Sequence, residues 1–113
     1  MTTTSHDDRR DSDRVPFRFA IRERAQGGSF EERDGNLSIG GVYFSGQHPP
    51  TGSVVEVRFF LPGHAGEVTA VGEVIRVSRA DEQFGTHVRF TEIPLDAELA
   101  LARFFQGGPA EAP

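Results

Sequence analysis

Residues 36–41, Asn-Leu-Ser-Ile-Gly-Gly, are the stretch from which the rest of the chain can be interpreted. The side chains of Asn36 and Ser38 bond readily to nearby backbone or to a ligand. Gly40 and Gly41 permit positive φ or a close approach of another group to the backbone. Because residues 34–36 (Asp-Gly-Asn) resemble a turn and Val-Tyr-Phe follows, we predict a tight turn entering a strand. Such a turn can cradle a polar ligand, or its Asn and Ser can simply satisfy local backbone groups.

A charged segment precedes the first predicted strand. Arg10 and Arg14 form an Arg-x-x-x-Arg pattern with Arg9 directly before it, and the segment carries no apolar stripe. It therefore predicts an arm that orders only with a partner. Every cation of the chain is Arg, and six of the 12 fall between Arg9 and Arg24, interleaved with acidic residues. Over residues 7–24 the six Arg meet five acidic residues, and this near-neutral local balance favours a defined anionic ligand over a long polyanion.

Composition narrows the class of protein. A chain of 113 residues forms one domain, and the absence of Cys excludes disulfides and thiolate metal sites. The net charge of −5 argues against broad binding of DNA or RNA. We expect a cytoplasmic protein without membrane insertion, because no apolar run reaches the length of a span. The four His are scattered and nothing arranges a nucleophile with a base, so we expect no metal, no cofactor and no catalytic residues.

Hydrophobic periodicity predicts about six strands followed by one helix. Alternation marks strands near residues 15–22, 53–61, 67–78 and 84–91, with a short strand at 29–33 and the motif strand at 37–45. Gly72 is expected to mark a bulge or bend. Leu95, Leu99 and Ala102 recur at helical spacing, which predicts an amphipathic helix over 95–106. Its stripe, with Phe104 and Phe105, is expected to pack internally or, if only partly covered, to be a partner surface. Residues 1–8 and 107–113 are expected to be tails.

The order and spacing of the two motifs resemble those of the PilZ domain family. Its members carry an Arg-x-x-x-Arg arm and, farther on, an Asp/Asn-x-Ser-x-x-Gly motif, which Arg10, Arg14, Asn36, Ser38 and Gly41 match. The later segments 71–76 and 84–90 are also similar to the family's strands, which end in a Gly-x-x-x-x-Phe pattern. The resemblance covers residues 9–106 and implies a six-stranded antiparallel β-barrel (15–91) with an accessory C-terminal helix (95–106) and a ligand-binding arm (9–14).

The family resemblance implies a receptor for cyclic di-GMP. Arg10 and Arg14 would grip guanine edges and phosphate, because the guanidinium fork binds both and its plane stacks on a base. Asn36 and Ser38 would bond the ligand from the barrel, and Gly41, with Gly40, would let it approach the backbone. Arg9 is compatible with two stacked ligand molecules. Ordering of the arm would signal to a protein partner in motility, polysaccharide production or a related bacterial process.

Other functions fit the sequence less well. A PilZ-like adaptor could act by protein contact with little nucleotide binding, but such members usually lack the arm arginines. A small barrel that binds single-stranded nucleic acid would need basic grooves with exposed aromatic residues, which the acidic total disfavours. Arg76 and Arg89 could flank a ligand, although outward-facing barrel charges are the simpler interpretation. An enzyme is the least supported class.

Overall fold

The computed structural model of the protein describes residues 14–46, 49–80 and 83–106. Six strands are followed by one helix among these residues. The elements are β1 (Val15–Glu23), β2 (Glu31–Ser38), β3 (Gly41–Ser45), β4 (Val54–Phe60), β5 (Glu67–Ala80), β6 (Gln83–Glu92) and α1 (Leu95–Gln106). None of the helical segments in this part of the chain has the length and apolarity that crossing a membrane requires.

The six strands close into an antiparallel barrel in the order β1-β2-β3-β6-β5-β4. β1 closes it by pairing with β2 along its length and with β4 through its second half, where Ala20 faces Arg58 and Glu23 faces Val55. Closure gives every strand a paired neighbour on both sides, which suits a small sheet. The prediction of a six-stranded antiparallel barrel with a C-terminal helix is confirmed.

The core follows the alternation of the strands. Phe19 and Ile21 of β1 are buried, and so are Val55, Val57 and Phe59 of β4. Their neighbours in the chain point to the outer face, because successive side chains of a strand lie on opposite sides of the sheet. The interior is thus filled by Val, Leu and Phe, and the outer face is free to carry polar and charged groups.

Helix α1 packs on the core through small residues. Ala97, Ala100 and Leu101 are its buried positions, and Phe104 meets Phe17 edge to face with ring centroids 6.5 Å apart. These positions also recur at helical spacing, so the helix carries two apolar stripes. The small Ala side chains let this stripe approach the barrel closely.

The predicted internal packing of the Leu95 stripe is therefore wrong for its two leucines. Leu95 is 69% exposed and Leu99 is 53% exposed. Phe104 and Phe105 are half-buried against the core, as expected. The start of the helix is tied to the β4–β5 loop, where His64 Nε2 lies 3.1 Å from Asp96 Oδ2.

The turn before β3 lies four to five residues later than predicted. Residues 34–36 are part of β2, and the connection to β3 is made by Ile39 and Gly40. Gly35 pairs with Phe17 of β1. A Cβ at position 35 would overlap the Tyr43 carbonyl oxygen and come within 3.1 Å of the Phe19 ring. Gly35 is thus needed for close packing of the strands, although the Asp-Gly-Asn sequence around it is typical of a turn.

The pairing of the long strand β5 with β6 is irregular at two points. Its register with β6 shifts between Val71 and Gly72 and again between Val74 and Arg76. The first shift lies beside Gly72, where a bulge or bend was expected, but the extra residue is Thr91 of β6. The second places Ile75 outside the regular pairing, with 48% of its surface exposed.

A candidate ligand site on the outer face of the barrel

Two rows of paired residues cross the outer face of strands β2, β3, β6 and β5. In the first row Asn36 pairs with Tyr43, Tyr43 with His87, and His87 with Arg76. The side chains of directly paired residues lie on the same face of a sheet. Since Leu37 beside Asn36 is fully buried, Asn36 and its row point outward.

The second row contains the end of the motif. Ser38 pairs with Gly41, Gly41 with Arg89, and Arg89 with Glu73. The Ser38 hydroxyl donates to the Gly41 carbonyl at 3.2 Å, and Arg89 Nη2 lies 3.5 Å from Glu73 Oε1. Ser38 thus satisfies local backbone in this state and keeps acceptor capacity for a ligand.

The two motif glycines differ in what surrounds them. Neither adopts positive φ. A Cβ at Gly41 would overlap the Val88 carbonyl oxygen and lie 2.9 Å from the Val88 carbonyl carbon, whereas a Cβ at Gly40 would meet nothing within 4 Å. Gly41 is therefore required by the pairing of β3 with β6, and Gly40 leaves exposed backbone beside the site.

The end of the arm reaches this face. The guanidinium carbon of Arg14 lies 5.0 Å from the centroid of the Tyr43 ring, within the range of a cation–π contact. Arg14 directly precedes β1. Arg9 and Arg10 lie outside the described residues.

A cavity of about 330 Å³ brings the two motifs together. Arg14, Ser38, Gly40 and Gly41 all line it. Asn36 is not in its lining, although it lies on the outer face of β2 two residues before Ser38. The lining is completed by residues that the sequence analysis did not assign to the site, which are Val42, Tyr43, Ile75, Arg76, His87, Val88 and Arg89.

The cavity is electropositive. Arg14, Arg76 and Arg89 line it from three separate segments of the chain. Arg76 Nη2 lies 3.4 Å from His87 Nε2, and an arginine can only donate, so this contact requires an unprotonated Nε2. Burial, reinforced by Arg76 and Arg14, holds the pKa of His87 below its ordinary value. His87 thus stays neutral where a fourth cation would be repelled.

This arrangement suits recognition of a planar, anionic ligand. Three guanidinium groups offer forked donors to phosphate and to base edges, and flat faces for stacking. The volume lies at the lower end of small-molecule sites, which span roughly 300–1,000 Å³. Arg76 and Arg89, expected to be ordinary outward charges, line the cavity because the strand order places β6, which carries Arg89, between β3 and β5, which carries Arg76.

The described residues form a small closed β-barrel with a basic cavity on its outer face and one C-terminal helix. The PilZ domain matches residues 8–107 of the chain. The protein belongs to the PilZ domain family, a family of cyclic di-GMP receptors. The resemblance noted from the sequence is thereby confirmed. No curated protein matches the chain.

Solved structures share the fold at low sequence identity. The inhibitor of motility MotI/DgrA of Bacillus subtilis aligns with a TM-score of 0.67 and 17% identity over 80% of this chain, which spans 46% of that protein. The PilZ domain of CeSA from a cellulose-synthesizing bacterium aligns with a TM-score of 0.58 and 20% identity over 85% of this chain and 97% of its own. A tetrameric PilZ protein of Xanthomonas campestris gives a TM-score of 0.52 and 17% identity, covering 79% and 52% of the two chains.

Proposed function

We propose that the protein is a receptor that binds cyclic di-GMP in the cavity lined by Arg14, Ser38, Gly40 and Gly41. The observation that carries the proposal is the convergence of the two motifs. Arg14 ends the arm, and the other three belong to the β2–β3 connection, yet all four line one cavity. Family membership supplies the ligand class, and the basic lining supplies the charge that its two phosphates need.

The residues take distinct roles in this proposal. Arg14 and Arg10 bind guanine edges and phosphate from the arm, with Arg9 beside them. Ser38 and the exposed backbone at Gly40 contact the ligand from the barrel, and Asn36, on the same face of β2, reaches it from the edge of the cavity. Gly41 keeps β3 close to β6 so that the cavity retains its shape.

Calorimetric titration with cyclic di-GMP tests the proposal. We expect saturable binding by the wild type and a loss of roughly tenfold to a hundredfold in affinity for Arg10→Ala and Arg14→Ala, because a hydrogen bond to a charged group contributes about 1.5–3 kcal/mol. Arg103→Ala is the matched control, since Arg103 is exposed on α1 and does not line the cavity. Its affinity should equal that of the wild type.

The stoichiometry and the controls decide between outcomes. The measured ratio is expected to be one or two ligands per chain. A ratio of two would mean that a second, stacked molecule binds, as the Arg at position 9 permits. Equal losses in Arg103→Ala and Arg14→Ala would refute a site at this cavity. No binding by the wild type, in calorimetry and in equilibrium dialysis, would refute the receptor function and leave the adaptor function.

Signal output in this proposal comes from ordering of the arm at the edge of β1. A folded arm changes the barrel surface, and a protein partner reads the change. Amide hydrogen exchange of residues 9–14 with and without ligand tests this step. Slower exchange on saturation is expected, and unchanged exchange would contradict it.

The adaptor function has its own structural support in helix α1. Leu95 and Leu99 form an exposed apolar strip, although a helix of this kind usually buries such residues. If the wild type binds no cyclic di-GMP, this strip is the surface on which to look for a protein partner. Comparing partner capture by the wild type and by Leu95→Asp/Leu99→Asp then tests that function.

A further inference from the structure

The ring of Tyr43 lies directly over a glycine of the neighbouring strand. Ser45 of β3 pairs with Gly85 of β6, so the ring of Tyr43 reaches diagonally to Gly85. A Cβ at position 85 would overlap the Tyr43 hydroxyl oxygen and lie 2.7 Å from both Cε1 and Cζ of the ring. The three nearest atoms all belong to this one side chain. Gly85 therefore provides the space in which the ring lies flat on the sheet.

His87 fixes the other side of the same ring. It pairs with Tyr43 across β3 and β6, and the two ring centroids are 4.6 Å apart at an interplanar angle of 55°. His87 Nε2 is itself within 3.4 Å of Ser78 Oγ and of Arg76 Nη2. The position of the Tyr43 ring is thus defined by Gly85 beneath it and by the imidazole of His87 beside it.

The guanidinium group of Arg14 packs against the Tyr43 ring in this position. Its guanidinium carbon lies 5.0 Å from the ring centroid, and the guanidinium lines the cavity beside Ser38 and Gly41. An arginine side chain loses considerable rotamer entropy when it is fixed, so a contact that fixes it before the ligand arrives strengthens binding.

We propose that Tyr43, seated over Gly85 and flanked by His87, is a positioning residue that holds Arg14 in its ligand-binding orientation in the free protein. The proposal rests on the proposed function, because it assigns Arg14 to the ligand. It adds that the affinity depends on Gly85. This residue acts on the ligand indirectly, by positioning the ring of Tyr43 and thereby the side chain of Arg14.

A double-mutant cycle tests the link between the ring and Arg14. We expect Tyr43→Leu to weaken binding of cyclic di-GMP about two- to fivefold, the value of an exposed cation–π contact. Tyr43→Phe keeps the aromatic face and should restore most of the affinity. In an Arg14→Ala background, Tyr43→Leu should have no further effect, because the arginine through which it acts is gone. Equal factors in both backgrounds would overturn the proposal.

Gly85→Ala displaces the ring without removing it. The three atoms nearest to the added methyl all belong to the movable side chain of Tyr43, so we expect the barrel to fold and the affinity to fall by the same factor as in Tyr43→Leu. The double variant Gly85→Ala/Tyr43→Leu should be no weaker than either single variant. Unchanged affinity in Gly85→Ala, with an unchanged fold by circular dichroism, would show that the position of the Tyr43 ring does not affect ligand binding and would overturn the proposal.

A measurement without ligand separates this proposal from the receptor function. The side-chain Nε–Hε resonance of Arg14, assigned by its loss in Arg14→Ala, should be shifted by the ring current in the wild type and in Tyr43→Phe. It should move toward its random-coil position in Tyr43→Leu and in Gly85→Ala. This result supports the positioning role even if the wild type binds no cyclic di-GMP, and a resonance that is identical in all four proteins would overturn it.

Discussion

The two adjacent glycines of the second motif face different constraints. Gly41 is buried, and a Cβ there would run into the backbone of β6 at Val88, whereas Gly40 is exposed with open space around its Cα. We expect Gly41→Ala to lower the free energy of unfolding by about 1–3 kcal/mol, the usual range for overpacking, or by more because the obstacle is backbone. Gly40→Ala should change it by less than about 0.5 kcal/mol.

Urea unfolding of the two glycine variants checks this pair. The comparison is controlled internally, since both add one methyl group to the same turn. Equal stability of the two variants would show that the pairing of β3 with β6 can relax around Gly41. In that case the glycine at 41 would have to be explained by the ligand and not by the fold.

His87 makes the stability of the protein depend on pH in a defined direction. Burial, Arg76 and Arg14 lower its pKa in the folded state, so the unfolded chain takes up a proton first as the pH falls below about 6.5. Stability contributed by the neutral imidazole is therefore present above that pH and decreases as the pH falls toward the folded-state pKa. We expect His87→Gln to lose less stability than the wild type between pH 7.5 and pH 5.5.

Two measurements check the role of His87. Urea unfolding at the two pH values gives the difference, and titration of the His87 ring resonances by NMR gives its pKa directly. Parallel pH dependence in wild type and variant, or a ring that titrates at or above 6.5, would contradict the assignment. Binding of an anion in the cavity should raise the pKa of His87, because phosphate offsets the charges of Arg14 and Arg76.

Helix α1 contains a matched pair of leucines with opposite surroundings. Leu101 is 1% exposed on the core side, and Leu99 is 53% exposed two positions earlier. We expect Leu101→Ala to destabilise the protein by about 2–5 kcal/mol, as buried Leu→Ala substitutions do, and Leu99→Ala to change stability by less than about 0.5 kcal/mol. Thermal and urea unfolding of both variants provide the measurement. A large loss in Leu99→Ala would mean that its face is covered by another part of the molecule or by a second copy.

The two apolar stripes of the helix show where sequence reasoning reaches its limit for an element. The bounds 95–106 followed from Pro94 before the helix and the glycines after it, and they are confirmed. The sequence did not determine which side of the helix packs on the barrel, because the Leu95 stripe and the Ala97 stripe both satisfy helical spacing. The larger leucines favoured the first, but the barrel accepts the second, whose small alanines allow closer packing.

The strand β2 shows the same limit for turns. Asp, Gly and Asn at 34–36 are typical of a turn, and nothing local distinguishes them from one. Only the register of β2 against β1 and β3 reveals that the glycine is needed where Phe19 and the Tyr43 carbonyl approach. By contrast, the strict alternation of Val15, Phe17, Phe19 and Ile21 predicted β1 correctly, because these four side chains pack on or within the core, Phe19 and Ile21 buried and Val15 and Phe17 partly buried.

At the scale of the whole molecule, the site is assembled from distant segments of an acidic protein. The net charge is −5, yet three arginines converge on one cavity. The contiguous motif residues were accessible from the sequence. Tyr43 and His87 were not, and Arg76 and Arg89 were considered only as possible flanking charges, because the convergence of these four residues depends on the strand order β2-β3-β6-β5 and on the register shift at Ile75. A ligand in this cavity would touch residues from the start of β1 to the middle of β6.

Because the cavity joins so many strands, ligand binding should stabilise the barrel as a unit. A ligand at 100 times its dissociation constant adds about 2.7 kcal/mol to the free energy of unfolding. For a domain of this size we expect the Tm to rise by roughly 10 °C or more. Differential scanning fluorimetry with cyclic di-GMP checks this, with guanosine monophosphate at equal concentration as the control, since it offers one base and one phosphate.

The variants show whether this stabilisation comes from the cavity. Arg103→Ala should keep the full shift in Tm, because its side chain lies on α1, away from the cavity. Arg14→Ala should lose most of it at the same ligand concentration, because weaker binding stabilises less by mass action. A shift retained in Arg14→Ala would place the ligand elsewhere on the barrel. A single sharp transition that moves as a whole would establish that arm, strands and ligand form one cooperative unit.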